Sequence, residues 1–159
     1  MKRFLSFLMA ALMLLSLTAC GGDTTTAAPK QLDLAATYTD ITKNAQMPEM
    51  MKLETDLLLD LFGIRTEYCS QAVVYICVNS LRADEIWLLE AADEAAMESL
   101  KALVDSRIAQ KDAESITYSP EQNAVVKAAQ IIQAGNYLVM IVSPDAQTIA
   151  EAFRTAAGI

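Results

Sequence analysis

Apolar residues recur along the chain in two spacings, one typical of strands and one typical of helices. Residues 72–78 and 137–142 are apolar on both strand faces and rich in β-branched and aromatic residues, which indicates buried strands. Residues 85–91 follow nearly the same pattern, and Ile131–Ile132 marks a shorter strand. Turn-forming residues separate the strands in two pairs, with Gly135–Asn136 suited to a type II′ turn. We therefore expect two antiparallel hairpins.

Segments in which apolar side chains recur at helical spacing precede, separate and follow these strand pairs in the sequence. Asp93 precedes one such segment as a candidate N-cap, and Ser119-Pro120 opens another. The expected helices cover residues 32–45, 55–62, 94–111, 119–129 and a final segment from about 143 to 157.

Two hairpins separated by helices predict an α+β domain with a four-stranded, mostly antiparallel sheet. A sheet with one wet face would alternate apolar and polar residues, whereas these strands are apolar on both faces. We therefore expect helices on both faces, with the two N-terminal helices available as the second layer. The alternative is that one face is bare and serves as a docking surface.

The beginning of the chain has the order of a bacterial lipoprotein signal. Lys2 and Arg3 precede an apolar run that ends in the lipobox Leu17-Thr18-Ala19-Cys20. The run is shorter than the 20 or so residues that a membrane-spanning helix needs. We predict a signal peptide over residues 1–19 and lipidation of the Cys20 thiol. A plain secretory signal that ends before Cys20 is the alternative.

Lipidation would decide where the protein lies. Two acyl chains, of which palmitate is typical, hold a protein durably on a bilayer. We expect an anchor at the outer face of the cytoplasmic membrane, a lipidated and flexible tether over residues 20–31, and a single domain over residues 32–159. The rest of the sequence has no comparably long apolar run.

Composition excludes several functions. The chain has 20 acidic and 12 basic residues and no histidine, with a net charge of −8. The absence of histidine removes the commonest general base and metal ligand, together with Ser-His-Asp chemistry. An acidic chain without a basic patch is also a poor match for nucleic acid. We expect no cofactor, no metal and no nucleic-acid partner.

Two cysteines remain besides Cys20. Cys69 and Cys77 are too far apart for a redox motif, and on one extended strand they could not meet. A disulfide would need a turn between them. Two buried free thiols are the favoured interpretation.

Arg107 is the least expected residue of its helix, because it lies at the edge of an apolar stripe. It could clamp a carboxylate or phosphate ligand. The structural alternative is an ion pair with Asp84, Glu85 or Glu90, or a hydrogen bond to a carbonyl near Tyr118. We favour the structural role, because buried arginines usually satisfy their own fold.

Acidic residues cluster where the second strand and the next helix begin. Two of the carboxylates of Asp84, Glu85 and Glu90 could act as a pair in acid–base hydrolysis, and such a cluster could also bind Ca²⁺. Their spacing matches neither a glycosidase pair nor a calcium loop. Asp93 and Glu94 are better explained by helix capping.

Several short motifs in fixed order resemble the uncharacterised lipoprotein family known as domain of unknown function 4358. The resemblance covers about half of the chain after residue 19, and the residues that carry it are Asp84-Glu85-Ile86, Arg107, Gln110, Tyr118-Ser119-Pro120-Glu121-Gln122, Gly135-Asn136-Tyr137 and Phe153. It implies a secreted, lipid-anchored domain of Gram-positive, clostridial-type bacteria and implies no activity.

These observations favour a non-catalytic binding or scaffolding module at the cell surface, held by the Cys20 lipid and facing an unknown protein or envelope partner. A small cell-envelope hydrolase that uses the carboxylates near Asp84 and Glu90 is the first alternative. An accessory ligand-binding lipoprotein of a transporter or sensor is the second. An enzyme would need convergent carboxylates in a pocket, whereas a module would expose an apolar patch.

Overall fold

The computed structural model describes residues 28–159, without the side chains of Thr117 and Tyr118. The predicted signal peptide and Cys20 lie outside the described residues. In chain order the elements are α1 (Leu34–Thr42), β1 (Met50–Lys52), α2 (Thr55–Phe62), a short 3₁₀ helix (Thr66–Tyr68), β2 (Cys69–Cys77), β3 (Glu85–Ala91), α3 (Glu94–Tyr118), α4 (Pro120–Lys127), β4 (Gln130–Ala134), β5 (Tyr137–Val142) and α5 (Ala146–Ala157).

The sheet is antiparallel throughout and has the strand order β1-β2-β3-β5-β4. Both predicted hairpins, β2–β3 and β4–β5, form and meet at the centre, where Glu85 pairs with Val142 and Glu90 with Tyr137. The α+β prediction is confirmed, and the prediction of four strands is wrong. The fifth strand, β1, has three residues and exists because it pairs with the free edge of β2.

Helices cover both faces of the sheet. As a result, β3 and β5 are buried along their full length. On one face Trp87 and Leu89 pack with residues of α2, α3 and α4, such as Leu100. On the other face Ile86 and Leu88 pack with α1 and α5. The two N-terminal helices therefore lie on opposite faces, and not together in one layer as expected.

The long helix α3 runs about two turns beyond its predicted end at Lys111. Asp93 caps its start as expected, accepting a hydrogen bond from the Ala96 amide at 2.7 Å. The extra turns are polar, and α4 packs on them through Asn123, whose amide donates to the Asp112 carboxylate at 2.7 Å. Tertiary contacts extend this helix past the last residue of its apolar stripe.

The β4–β5 turn depends on glycine. Gly135 has a φ of +56°, the left-handed value that the first position of a type II′ turn requires. A Cβ atom there would also approach Pro29 Cγ to 2.7 Å. The turn therefore lies directly beneath the segment that leads into the domain.

The two cysteines at the ends of β2 are free thiols, as favoured from the sequence. Cys77 is buried and Cys69 is half-buried. Eight residues of extended strand separate them by roughly 26 Å, so they cannot bridge within one chain. Between residues 28 and 159, no helix is both long and apolar enough to cross a bilayer.

Candidate functional site

The centre of the site is Glu85, the first residue of β3. Its carboxylate accepts three hydrogen bonds and forms an ion pair with Lys111, although the residue is only 1 % exposed. Arg107 donates from Nε to Oε1 at 2.9 Å and from Nη2 to Oε2 at 2.7 Å, while Lys111 Nζ lies 2.9 Å from Oε2. Trp87 Nε1 donates to Oε1 at 2.7 Å. The arrangement is a bidentate arginine–carboxylate pair with a second cation beside it.

The environment keeps Glu85 ionised. Burial alone would raise the pKa of this carboxyl, but the hydrogen bonds from Arg107 and the positive charges of Lys111 and Arg107 outweigh burial and lower it. A glutamate held in this way is a poor general acid, because a general acid needs a raised pKa.

Arg107 comes from α3, and each of its three guanidinium nitrogens donates a hydrogen bond within the protein. Besides its two bonds to Glu85, Nη1 donates to Gln110 at 3.0 Å, and the group lies 4.9 Å from the centre of the Phe62 ring. Among the three acidic partners considered from the sequence, the structure selects Glu85. The structural interpretation of Arg107 therefore accounts for its position, and a ligand clamp would have to break the Glu85 pair.

Asp84 precedes the strand and is equally buried, at 1 % exposure. Its Oδ2 accepts a hydrogen bond from Arg82 Nε at 2.9 Å. Among the buried side-chain polar atoms of residues 28–159, Asp84 Oδ1 is the one that has no hydrogen-bond partner. A buried carboxylate oxygen without a donor costs free energy, so this atom is a candidate binding point.

A cleft of about 660 Å³ opens beside these residues. It lies between the β2–β3 connection and the facing ends of α3 and α4. Gln122 of α4 shapes it by accepting a hydrogen bond from the Ala83 amide at 2.8 Å, and Lys111 Nζ donates to the Ala83 carbonyl at 2.9 Å. The cleft is lined, among others, by Ile76, Ser80, Leu81, Arg82, Asp84 and Lys111.

Glu90 lies near the other end of β3 and on the opposite face of the sheet. Its carboxylate accepts hydrogen bonds from three uncharged side-chain amides: Gln31 at 3.1 Å, Asn136 at 2.8 Å and Gln71 at 2.7 Å. Burial raises the pKa of Glu90, but the hydrogen bonds, above all that from Gln71, lower it overall. We call this group the Glu90 cluster, and Glu85 with Arg107 and Lys111 the Glu85 cluster.

The predicted site residues therefore divide into two groups. Asp84, Glu85 and Arg107 meet around the cleft, whereas Glu90 is separated from Glu85 by five residues of strand, about 17 Å. The side chain of Tyr118 lies outside the described residues. In the cleft, the pKa of the Glu85 carboxyl is lowered and not raised. Residues 28–159 hold no group of three metal-ligating side chains.

Sequence reasoning missed the second cation and the amide donors. Lys111 follows Arg107 by four residues, so helical spacing alone places both on one face, and a lysine in that stripe was the available signal. Arg82 lies in a turn, where a charged side chain is ordinarily expected to point into solvent. Gln71 and Asn136 have no local signal, because the sheet register brings them to Glu90.

Comparison with known proteins identifies a family for this chain. A family model described as a domain of unknown function, DUF4358, matches residues 43–143. The chain belongs to this family. The match contains all five strands with α2, α3 and α4, and therefore the whole Glu85 cluster and the cleft, while α1 and α5 lie outside it. Neither the curated proteins nor the solved structures gave a match to this DUF4358 chain.

Proposed function

We propose that the protein is a lipid-anchored, non-catalytic binding module at the outer face of the cytoplasmic membrane, and that its cleft beside Asp84 binds the ligand. One observation carries this proposal. The cleft and the segment through which the chain enters the domain lie at opposite ends of β3.

The entering segment is fixed at the Glu90 end. The Lys30 amide donates to the Ala157 carbonyl at 2.9 Å, and Gln31 joins the Glu90 cluster. The Leu32 amide donates to the Tyr137 hydroxyl at 3.0 Å. A lipid on Cys20 would therefore hold the Glu90 end towards the membrane, and the cleft would face away from it.

The charges around the cleft favour binding over hydrolysis. Each buried carboxylate there is already paired, Glu85 with Arg107 and Lys111 and Asp84 with Arg82. Hydrolysis by two carboxylates requires one of them to hold a proton near neutral pH. The lowered pKa of Glu85 works against that requirement.

The anchoring part is tested by Cys20→Ser in cells that make the protein. The unchanged protein should take up labelled palmitate and sediment with membranes, and the variant should do neither. Cys69→Ser is the matched control and should behave as the unchanged protein, because Cys69 lies within the folded domain. Labelled palmitate in the Cys20 variant, or its absence from both, would refute the anchor.

The binding part is tested by attaching a photoreactive maleimide at the cleft. Leu81→Cys places the probe on a residue that is 81 % exposed, and Leu59→Cys on α2 is the control at 52 % exposure. Burial raises the pKa of Cys69 to about 11 and Cys77 is buried, so both native thiols should label slowly.

After illumination of intact cells, we expect a discrete adduct from position 81 that disappears in the Asp84→Asn background. The same adducts from both positions, or none from position 81, would contradict binding at the cleft.

A further inference from the structure

The cleft that carries the proposed function has a balanced set of charges. Three cations and three carboxylates line it: Arg82, Arg107, Lys111, Asp84, Glu85 and Glu114. The buried members are already paired with one another. A charged ligand would leave the cleft with a net charge that nothing there offsets, which is costly once the ligand displaces water. The charge distribution therefore favours an uncharged ligand.

Hydrogen-bonding capacity nevertheless remains in the cleft. Asp84 Oδ1 is an acceptor without a donor; its side chain lines the cleft but is 0 % exposed, so a ligand reaches this atom only after a neighbouring side chain shifts. Arg82 uses Nε for Asp84, and its two Nη atoms have no acceptor among the described side chains and backbone, which exclude the side chains of residues 117 and 118. Lys111 Nζ donates to the Ala83 carbonyl and forms an ion pair with Glu85, so its three protons are not all used by these two partners. A ligand that both donates and accepts a hydrogen bond would match this set.

Apolar side chains complete the cleft. Ile76 and Ala83 line it beside Leu81, which is the most exposed large hydrophobic residue of the described part of the chain. Together these three side chains give the cleft an apolar side that another apolar group can cover. An aliphatic side chain of the ligand would bury Leu81 and leave the paired charges undisturbed.

From these three observations we propose that the cleft binds an uncharged peptide segment, with a backbone amide and its adjacent aliphatic side chain as the recognised unit. The amide N–H donates to Asp84 Oδ1, and the carbonyl oxygen accepts from Arg82 or Lys111. The aliphatic side chain lies against Leu81 and Ile76. Hydrogen bonds to an ionised acceptor are about twice as strong as neutral ones, so Asp84 dominates recognition. This assignment rests on the proposed binding function.

The test uses the full-length protein in mild detergent, followed by amide NMR during titration with three small probes. N-acetyl-L-leucinamide is uncharged, L-leucinamide is a cation and N-acetyl-L-leucine is an anion, while all three keep the same aliphatic side chain. We expect saturable shifts at residues 80–84 with the uncharged probe. Its affinity should exceed that of either charged probe at least fivefold.

Two variants and a control locate the binding. Asp84→Ala should lower the affinity for N-acetyl-L-leucinamide at least tenfold. Ser80→Trp, at an exposed position of the cleft rim, should block the probe without a change in the core. Asp105→Ala, an exposed carboxylate of α3, is the matched control and should bind as the unchanged protein.

Several outcomes would overturn the assignment. A charged probe that binds more tightly at the same residues would show that the cleft binds a different class of ligand. The proposed binding function would then survive, and the uncharged peptide ligand would be refuted. Full affinity in either the Asp84 or the Ser80 variant would place the probe elsewhere. Absence of shifts with all three probes, while position 81 still crosslinks in cells, would refute the peptide ligand. Absence of both would refute the binding function as well.

Discussion

Two buried glutamates on one strand are stabilised in different ways. Glu85 is neutralised by the cations Arg107 and Lys111, whereas Glu90 is surrounded by uncharged amide donors. In both cases, partners outweigh burial and lower the pKa of the carboxyl. The comparison shows that ionisation of a buried carboxylate can be maintained by charge or by hydrogen bonds alone. The two solutions should respond differently to loss of the charge.

The largest difference is expected when each charge is removed without a change of shape. Glu85→Gln leaves Arg107 and Lys111 beside a neutral group, and breaking a buried ion pair in this way costs about 3 kcal/mol or more. The measurement is the free energy of unfolding in urea. Arg65→Ala, which removes an exposed pair with Glu67, is the control and should stay within about 0.5 kcal/mol. An equally small loss in Glu85→Gln would contradict the role of the buried pair.

Glu90→Gln should cost less, about 1–2 kcal/mol by the same measurement, because its described donors are neutral and no cation is left without a partner. Part of the loss arises because the NH₂ group of the new glutamine faces one of the existing amide donors. The rest arises because hydrogen bonds to a neutral acceptor are weaker than those to a carboxylate. A loss as large as that of Glu85→Gln would show that the Glu90 cluster depends on charge after all.

The pH dependence should show what the two clusters share. Because the folded pKa of each glutamate is lowered, the unfolded chain binds protons at a higher pH than the folded chain does. Stability is therefore fully present well above the ordinary glutamate pKa of about 4.3 and falls as the pH drops below that value. Each Gln variant should flatten the slope by at most about 1.4 kcal/mol per pH unit. An unchanged slope below pH 4.5 would contradict the lowered pKa of the residue replaced.

The smallest effect concerns local opening, which the two native thiols report. Cys69 lies at the Glu90 end of β2, and Cys77 lies at the cleft end. In Glu90→Gln, the rate of iodoacetamide labelling at Cys69 should rise about fivefold more than the rate at Cys77, and Glu85→Gln should show the reverse order. Equal increases at both thiols would indicate global unfolding and would remove the distinction between the two ends.

The sequence predicted those parts of the fold that local pattern decides. The bounds of α2, β3 and β5 agree with the structure, because apolar runs and turn residues mark them clearly. β1 was missed because three residues carry no period, and its pairing with β2 creates it. The end of α3 was missed because polar residues beyond Lys111 are held by α4 and carry no apolar stripe.

The candidate site divides in the same way. Helical spacing and the acidic cluster brought Arg107 and Glu85 into one short list of partners. The choice among Asp84, Glu85 and Glu90 required the register of β3 and the face on which each side chain lies. The unpaired Asp84 oxygen had no sequence signal, since an unmet hydrogen bond is a property of packing.

The hydrogen bonds around residues 30–34 have a mechanical consequence. Any tension on the leading segment would first reach Lys30 with Ala157, Leu32 with Tyr137, and the Leu34 amide with Gln71. These bonds join the segment to the sheet and to the last helix, so a pull is shared between the two termini of the domain. Because the cleft lies about 17 Å further along β3, a pull on the leading segment would load these bonds before it reached the cleft.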